Sequence, residues 1–385
     1  METFITILRE VRDPRDLNAR HDCSSMLFVA LIATLCGAKS CVDIADFCSA
    51  NEADLAEIVD LAHGAPSHDS FSRLFRLLDP DEMARAFAAF AKALRDALGL
   101  GPVKGVVAID GKRLRRGYER GRACMPPLMI SVWDAQTHLS LAARASGDGN
   151  EVKATLEALK SLDLKGCIVT TDALHCHPKM AEGVRARHGD YAFKLKGNNG
   201  PLHACAVKGF EQADAQGGAK FYEASETGHD RFERRRVSVI AAPKDAPNFP
   251  GLVMLGRIES ERRKAAGKAE TFVYYAALSK RLTPRKLMEI IREYWSVENK
   301  LHWRLDVVFN EDDSRIRKNH APQNLSFIRR MALDILNAHP DKRSPARKMK
   351  LAAWKKEFLF ELFTHMQWPC PQGGRELAAR QYWDS

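Results

Sequence analysis

The sequence predicts a mixed α/β protein with a central sheet, preceded by an all-helical N-terminal domain and extended by a second β-rich segment. Three observations lead to this fold class. The apolar spacing of residues 1–98 is helical, a glycine-proline cluster at 99–102 ends that pattern, and short apolar runs alternate with helical stretches beyond it. With 385 residues the chain exceeds one ordinary hydrophobic core, so more than one domain is expected.

The N-terminal hundred residues are predicted to form helices separated by turns. Apolar clusters occur at 26–32 and 42–47, and residues 71–78 are amphipathic. The turn at 64–70 ends in candidate N-caps, and Asp79-Pro80 begins an alanine-rich helix. These features predict a helical domain over 1–100.

Strands and helices alternate from residue 101 onward. Strands are predicted at 105–110, 128–132, 139–143, 167–172 and 191–195, with helices at 151–162 and about 178–188. Further strand-like runs at 220–224, 236–241, 252–259 and 270–278 predict a β-rich insertion at about 200–280. The predicted catalytic domain is 101–340, with a helix at about 324–336, and a basic C-terminal region follows at 341–385.

A long helix after the insertion is predicted to carry one carboxylate on its apolar face. Thr283 is its candidate N-cap, with Pro284 at the first helical position. Its apolar stripe comprises Leu287, Ile291, Tyr294, Leu301, Leu305 and Val308. Glu298 falls seven residues after Ile291 and so shares this face. A buried carboxylate needs a compensating cation or metal, which leaves an ion pair and a metal ligand both open.

The charge is unevenly distributed. The net charge is +10, yet residues 1–100 carry 10 Lys or Arg against 16 Asp or Glu, so the remainder holds the whole basic excess. A polyanionic partner such as nucleic acid fits that excess, and a merely soluble basic surface fits it equally well.

Membrane and disulfide classes are not expected. No apolar run of about 18 residues occurs, and the N-terminus lacks the pattern of a signal peptide, so we expect a cytoplasmic protein with no membrane partner. The nine cysteines include no C-x-x-C pair, which argues against a disulfide framework or zinc ribbon and predicts buried, reduced thiols.

Two aspartates stand at the ends of predicted strands. Asp110 closes Gly-Val-Val-Ala-Ile and Asp172 closes Ile-Val-Thr-Thr, where α/β sheets commonly place ligands. Each taken alone fits a turn residue or a helix cap. Together with Glu298 they form an oxygen donor set for two Mg²⁺ or Mn²⁺ ions about 3.5 to 4 Å apart, an arrangement that suits phosphodiester chemistry.

At this point the sequence resembles the insertion-sequence transposases of the DDE superfamily, specifically the ISAs-type group and the related H-repeat proteins of Rhs elements. In the N-terminal domain the resemblance lies in Asp13-Pro14-Arg15, residues 37–47 and residues 66–71. In the core it lies in the motifs Ile109 to Lys112, Thr171 to His175, Lys196-Gly197-Asn198, and Glu298 to Trp303 with Leu305-Asp306-Val307.

The resemblance implies a ribonuclease H-like core with a β-stranded insertion and a catalytic triad of Asp110, Asp172 and Glu298. It also implies a bacterial, nucleoid-associated enzyme that binds terminal inverted repeats, cleaves the 3′ ends of its element and joins them to target DNA. Synapsis of two ends implies a homodimer. The wider superfamily's Tyr-Arg-Glu-Lys signature is replaced here by Ile291, Tyr294 and Leu305 around the glutamate, and His177 stands where a glutamine is expected.

Basic side chains near the three carboxylates are predicted to contact DNA. They are Lys112, Arg113, Arg115, Arg116, His175, Lys194, Lys196, Lys300 and His302. A solvated basic turn is the alternative for the group after Asp110, and a helix-start histidine is the alternative for His175, whose neighbours offer poor zinc geometry. His302 lies four residues after Glu298 and could instead orient that carboxylate. Trp295 and Trp303 are predicted core residues rather than base-stacking ones.

Two other functions remain open from the sequence. One is a metal-dependent nuclease that cuts DNA without joining it, and the other is a catalytically idle DNA-binding protein derived from a transposase. The role of the acidic N-terminal domain is also open, since Arg73 and Arg76 on one side of a helix are only compatible with a helix-turn-helix.

Overall fold

The computed structural model describes residues 2–16, 18–118, 125–147, 149–196, 199–228, 231–264 and 269–368. The helices before the first strand are α1 (Glu2–Arg9), α2 (Cys23–Leu35), α3 (Cys41–Ala50), α4 (Glu52–Ala56), α5 (His68–Leu77) and α6 (Pro80–Ala97). The later helices are α7 (Glu151–Leu159), α8 (Pro178–Arg185), α9 (Gly200–Ala215), α10 (Pro284–Tyr294), α11 (Trp303–Phe309), α12 (Ala321–Ala338), α13 (Pro345–Trp354) and α14 (Lys356–Thr364).

Nine strands of the described residues form a single sheet. They are β1 (Gly105–Arg113), β2 (Leu128–Asp134), β3 (Leu139–Ser146), β4 (Cys167–Thr171), β5 (Asp190–Leu195), β6 (Phe221–Gly228), β7 (Arg231–Ala241), β8 (Met254–Lys264) and β9 (Glu270–Leu278). Their order is β3-β2-β1-β4-β5-β9-β8-β7-β6. The fold is therefore mixed α/β with a large central sheet, as the sequence predicts.

The sheet has a parallel centre and an antiparallel extension. β4 pairs in parallel with β1 and with β5, while β9 pairs antiparallel with β5 and continues into β8, β7 and β6. The strand-like segment after residue 220 thus extends the central sheet itself. β4 is buried along its whole length and β1 is buried from Val106 to Ile109, as expected for parallel strands covered on both faces.

The described residues separate into two compact units. The first comprises residues within 1–101, 113–129 and 304–385, and the second comprises 102–112 and 130–303. This division differs from the predicted boundaries, because residues 304–368 belong to the same compact unit as the N-terminal helices. The physical reason is α12, in which 15 of 18 residues are buried, so that it needs other helices on every side.

The first unit is built around two helices that have no exposed face. All 13 residues of α2 are buried, and α12 packs against α2, α5 and α6. The N-caps follow the sequence signals: Asp22 accepts the N–H of Ser25, and Asp79 precedes Pro80 at the start of α6. In the predicted basic C-terminal region, α13 and α14 belong to this unit, while residues 369–385 lie outside the described residues.

Two further predictions concern membranes and cysteines. No helix within the described ranges is long and apolar enough to cross a bilayer. The seven cysteines in those ranges carry free thiols, and burial raises the pKa of Cys23, Cys36 and Cys176 to about 12, which makes these thiols poor nucleophiles. Cys124 and Cys370 lie outside the described part of the chain.

Candidate active site

Asp110 and Asp172 lie side by side on neighbouring parallel strands. β1 and β4 stay in register up to Ile109 and Thr171, and each aspartate is the next residue. Asp110 lies within β1, whereas Asp172 ends β4 and caps the 3-10 turn Ala173–His175. Both carboxylates are partly accessible, with side chains 17% and 35% exposed. The register therefore brings two acceptors for a cation to one edge of the sheet.

Asp172 is held by a buried histidine. Its Oδ1 lies 2.8 Å from Nδ1 of His175 and accepts the backbone N–H of Leu174 at 3.0 Å. His175 is 1% exposed, and its Nε2 lies 3.8 Å from Oε2 of Glu151. Burial acts to raise the pKa of Asp172. The hydrogen bond and charge of the His175 side chain, together with the backbone N–H groups of Leu174 and His175, outweigh this effect, so the pKa of Asp172 lies below its usual value. Asp172 is therefore an oriented, ionised carboxylate.

Asp110 has a histidine partner of its own. Nδ1 of His302 lies 3.2 Å from Oδ2 of Asp110, and the His302 side chain is 13% exposed. His302 belongs to a π-helix, Val297–His302, which also carries Glu298. The same short segment thus supplies a contact to the first aspartate and the third carboxylate of the predicted triad.

The prediction that Glu298 is buried on an apolar stripe is wrong, because this side chain is exposed. The predicted continuous helix is instead α10, the π-helix and α11. The N–H of Trp303 bonds to the carbonyl of Glu298 five residues back, which changes the phase of the helix. The buried face of the helix contains Ile290, Val297 and Leu301. Glu298 is the residue after Val297 and therefore lies beside this face and not on it. Thr283 does cap α10, accepting the N–H of Lys286 at 3.2 Å.

The π-helix is held from both sides by side chains that the sequence patterns did not single out. Nε1 of the buried Trp133 bonds to Oγ of Ser296 at 3.2 Å. On β7 and β8, the guanidinium carbons of Arg235 and Arg262 lie 4.7 and 5.3 Å from the ring centroid of Trp295. Glu233 lies 2.8 and 3.0 Å from these two arginines. Cation–π contacts of this kind contribute about 0.5 to 2 kcal/mol each, so the insertion strands help to fix the segment that precedes Glu298.

All three carboxylates act electrostatically on one phenol. Burial, with the negative charges of Asp110, Asp172 and Glu298, raises the pKa of Tyr294. Two of these carboxylates, Asp172 and Glu298, also act on Lys194. Burial and the charge of Lys196 lower the pKa of Lys194, and the two carboxylates oppose that shift. The carboxylates therefore share one neighbourhood of the second unit. Tyr294 stands where the wider superfamily has arginine, and it remains a neutral hydrogen-bonding group there.

The donor set is suited in chemistry to a hard divalent cation. It consists of carboxylate oxygens, which Mg²⁺ and Mn²⁺ prefer, and two of the carboxylates have a histidine that fixes one oxygen. Within the described residues, no group of three or more His, Cys, Asp or Glu side chains is gathered closely enough to hold a metal ion as it stands.

The predicted DNA contacts differ in accessibility. Lys112 and His175 are 8% and 1% exposed, and this burial argues against contact of either side chain with a phosphate. Arg113 and Lys196 are exposed, while Lys194, Lys300 and His302 are half-buried. Nζ of Lys194 lies 4.2 Å from the ring centroid of Tyr274. In the motif that begins with Lys196, Gly197 and Asn198 lie outside the described residues.

The two arginines of the turn after β1 are exposed but paired. Arg115 and Arg116, which belong to the first unit, lie 3.1 and 3.2 Å from Asp312 and Asp313. A phosphate contact by either guanidinium would exchange one anionic partner for another. Trp303 also departs from its prediction as a core residue, since it is 60% exposed on α11.

Comparison with known proteins decides the family. The family model described as "Transposase DDE domain" matches residues 101–335, and one described as "DDE_Tnp_1-associated" matches residues 5–91. The chain belongs to the DDE transposase family. All three predicted triad residues fall within the first match, and the acidic helical region corresponds to the second.

Relatives extend this DDE transposase assignment over nearly the whole chain. From Escherichia coli K12, "Putative protein YbfL" is 35% identical and "H repeat-associated putative transposase YhhI" is 34% identical, each over 88% of this chain and 91% of the relative. "Putative transposase YncI" of Escherichia coli O157:H7 is 28% identical over 93% of both chains. A solved piggyBac transposase synaptic complex with hairpin DNA is 12% identical, covers 93% of this chain and 77% of its own, and has a TM-score of 0.42. That structural likeness is too weak to carry an argument.

Proposed function

We propose that this protein is the DNA transposase of an insertion sequence, with Asp110, Asp172 and Glu298 as its catalytic, metal-binding residues. It binds the terminal inverted repeats of its element, cleaves their 3′ ends and joins them to target DNA. One observation carries the proposal: parallel strands in register bring Asp110 and Asp172 next to each other, and Glu298 acts with them on the pKa of Tyr294, in a chain of the DDE transposase family.

The residues around the carboxylates have distinct tasks in this proposal. His175 fixes Oδ1 of Asp172, and His302 restrains Oδ2 of Asp110, so neither carboxylate has to be reoriented for each reaction. Glu298 is supplied by the π-helix. The position of this segment is set by the contacts of Arg235 and Arg262 with the ring of Trp295. Two Mg²⁺ or Mn²⁺ ions held by this set would lower the pKa of the attacking water or 3′-hydroxyl and stabilise the leaving oxygen.

Two further side chains adjust the charge of the site. Lys194 lies within electrostatic range of Asp172 and Glu298, and this cation offsets part of the repulsion among the carboxylates. Tyr294 keeps its proton because its pKa is raised, so it can donate a hydrogen bond in the site without adding negative charge.

The fold and the charge are consistent with the proposal. The order β3-β2-β1-β4-β5 with a parallel centre supports a ribonuclease H-like core, to which β9 to β6 are added as the insertion. The net charge of +10 favours a polyanionic substrate. We propose Arg113, Lys196 and Lys300 as accessible phosphate contacts, a homodimer that joins two element ends, and a place of action on bacterial chromosomal DNA.

The test is a strand-transfer assay with labelled DNA ends and a target plasmid, in the presence of Mg²⁺ or a chelator. Asp110→Asn, Asp172→Asn and Glu298→Gln are each expected to abolish both cleavage and joining. Glu289→Gln is the matched control, since Glu289 lies on α10 and pairs with Arg285 and Lys286 outside the site. It is expected to react like wild type.

Each result decides between functions. Cleavage without joining by the wild type favours a nuclease, and binding of inverted repeats with no Mg²⁺-dependent cleavage favours an idle transposase derivative. Cleavage at the wild-type rate by all three site variants rules out the proposed triad. Loss of activity in Glu289→Gln as well would mean that the substitutions act through folding.

A further inference from the structure

The first unit contains a basic groove on its surface. The groove lies between α3, α5, the segment 315–318 and the beginning of α12. We define it by its five basic side chains, His68, Arg76, Arg315, Arg317 and Lys318. Its volume of about 810 Å³ exceeds what a small anion fills, so its size fits a polymer better than a single ion.

The charge of the basic groove is not neutralised by its own lining. Among the described residues that line it, none is a carboxylate. The acidic residues next to segment 315–318 are engaged elsewhere, because Asp312 pairs with Arg115 and Asp313 pairs with Arg116. On α3, Asp43 accepts the backbone N–H groups of Lys39 and Ser40 in a capping box. Asp69 is not among the lining residues, and its Oδ1 lies 3.5 Å from Nε2 of His68.

Hydrogen bonds fix both walls of the groove. The buried Arg329 of α12 donates through Nη2 to Oγ of Ser314 at 3.1 Å and to the carbonyl of Lys39 at 3.3 Å, and so joins segment 315–318 to the turn before α3. Nε of Arg317 donates to the carbonyl of Arg116 at 3.1 Å, and Nε of Arg76 donates to the carbonyl of Ser72 at 3.1 Å. The guanidinium groups of Arg76 and Arg317 are therefore placed before any ligand arrives, which lowers the entropic cost of binding at these two side chains.

We propose that the basic groove is a DNA-binding site of the helical unit, where Arg315 and Lys318 contact the phosphates of duplex DNA. Both side chains are exposed, and the planar guanidinium of arginine matches the geometry of phosphate. The choice of DNA as the polyanion rests on the proposed function, while the site itself is separate from the three carboxylates. The groove gives the acidic N-terminal region a role in holding the substrate.

The experiment measures equilibrium binding of a labelled DNA duplex by fluorescence anisotropy, with a chelator present so that no cleavage occurs. The full-length protein carrying Arg315→Gln and Lys318→Gln is compared with wild type over about 50 to 200 mM salt. Loss of two phosphate contacts should reduce the slope of log K against log salt by about 1.8, since each contact contributes about 0.9. The advantage of wild type over the variant should then shrink about tenfold across that range.

Arg85→Gln with Lys92→Gln is the matched control. It removes the same charge from the same unit, but these side chains lie on α6 and pair with Glu82 and Asp96. This control should keep the wild-type slope, and Arg315→Lys should keep most of it because the positive charge remains.

Each outcome bears on the proposal. If the groove variant melts like wild type and binds DNA with the salt slope of the control, the proposed DNA-binding role of the groove is wrong. The proposed active site is not affected by that result, because it is tested separately by the Mg²⁺-dependent strand-transfer assay. Wild-type protein that binds no duplex DNA overturns both proposals. A reduced slope for an RNA duplex but not for DNA overturns the assignment of DNA as the ligand.

Discussion

The hydrogen bond between His175 and Asp172 is expected to be worth one to two orders of magnitude in cleavage rate. The bond is 2.8 Å long, its donor is 1% exposed, and its acceptor is ionised. Hydrogen bonds to charged groups contribute about 1.5 to 3 kcal/mol, which corresponds to a factor of about 10 to 150. In His175→Leu the apolar side chain offers no donor to Oδ1, and Asp172 keeps only its bonds from backbone N–H groups, such as that of Leu174. We therefore expect cleavage to fall about 10- to 100-fold, the range typical for the loss of a partner that orients a metal ligand.

The assay is cleavage of labelled element ends as a function of Mg²⁺ concentration. An orienting role predicts that His175→Leu needs more Mg²⁺ for half-maximal rate, whereas a purely structural role lowers the active fraction without moving that midpoint. His177→Leu is the matched control, because His177 is exposed and caps α8 through the N–H of Lys179. A folded His175→Leu protein with the wild-type rate and Mg²⁺ midpoint would refute the reasoning.

Three predictions concern the stability of the first unit. Glu311→Gln should lower the free energy of unfolding by about 3 to 5 kcal/mol in a urea titration, because it removes the negative charge that lies 3.3 Å from Nη1 of the fully buried Arg330; an unchanged midpoint would mean that the pair contributes no net stability. Asn324→Leu should cost about 2 to 4 kcal/mol, since Nδ2 donates two buried hydrogen bonds of 2.9 Å to carbonyls at the end of α5; thermal unfolding at the wild-type temperature would contradict this. Burial, reinforced by His365, lowers the pKa of His339 below 6.5, so the unfolded chain binds the proton more readily and stability should fall as pH drops below about 6.5. His339→Gln should reduce that decline, and an equally steep decline in the variant would assign it to other groups.

The fold was predictable where apolar residues form a clear run or recur at regular spacing along the sequence. The buried strands before and after α7 are continuous apolar runs, and all of them occur where the sequence predicts. The helix α9 was not predicted, because its buried face is made of Leu202, Ala206, Gly209 and Phe210 and therefore has a weak apolar stripe. Gly209 shows why small residues stand there: a Cβ at this position would lie 3.0 Å from Cδ1 of Ile240.

The candidate site was predictable in its residues but not in its support. The two aspartates follow from strand ends, since parallel strands in register bring their ends together. The π-helix could not be read from the sequence, because the same apolar residues satisfy an α-helix with Glu298 inside and a π-helix with Glu298 outside. The partners of Trp295 come from strands of the insertion, and only the tertiary fold sets such distances.

The acidic N-terminal region shows why summed charge is a poor guide to a binding surface. Residues 1–100 carry a net charge of −6, which argues against DNA binding when they are considered alone. Part of that negative charge is offset by cations from outside the region, as where Lys356 pairs with Asp54. Of the side chains that define the basic groove, only His68 and Arg76 come from this region, and Arg315, Arg317 and Lys318 come from segment 315–318. A phosphate responds to the charges within about a Debye length, roughly 10 Å at 0.1 M salt, and not to the total for a stretch of sequence. A surface assembled from two distant segments can therefore bind DNA although one of them is acidic overall.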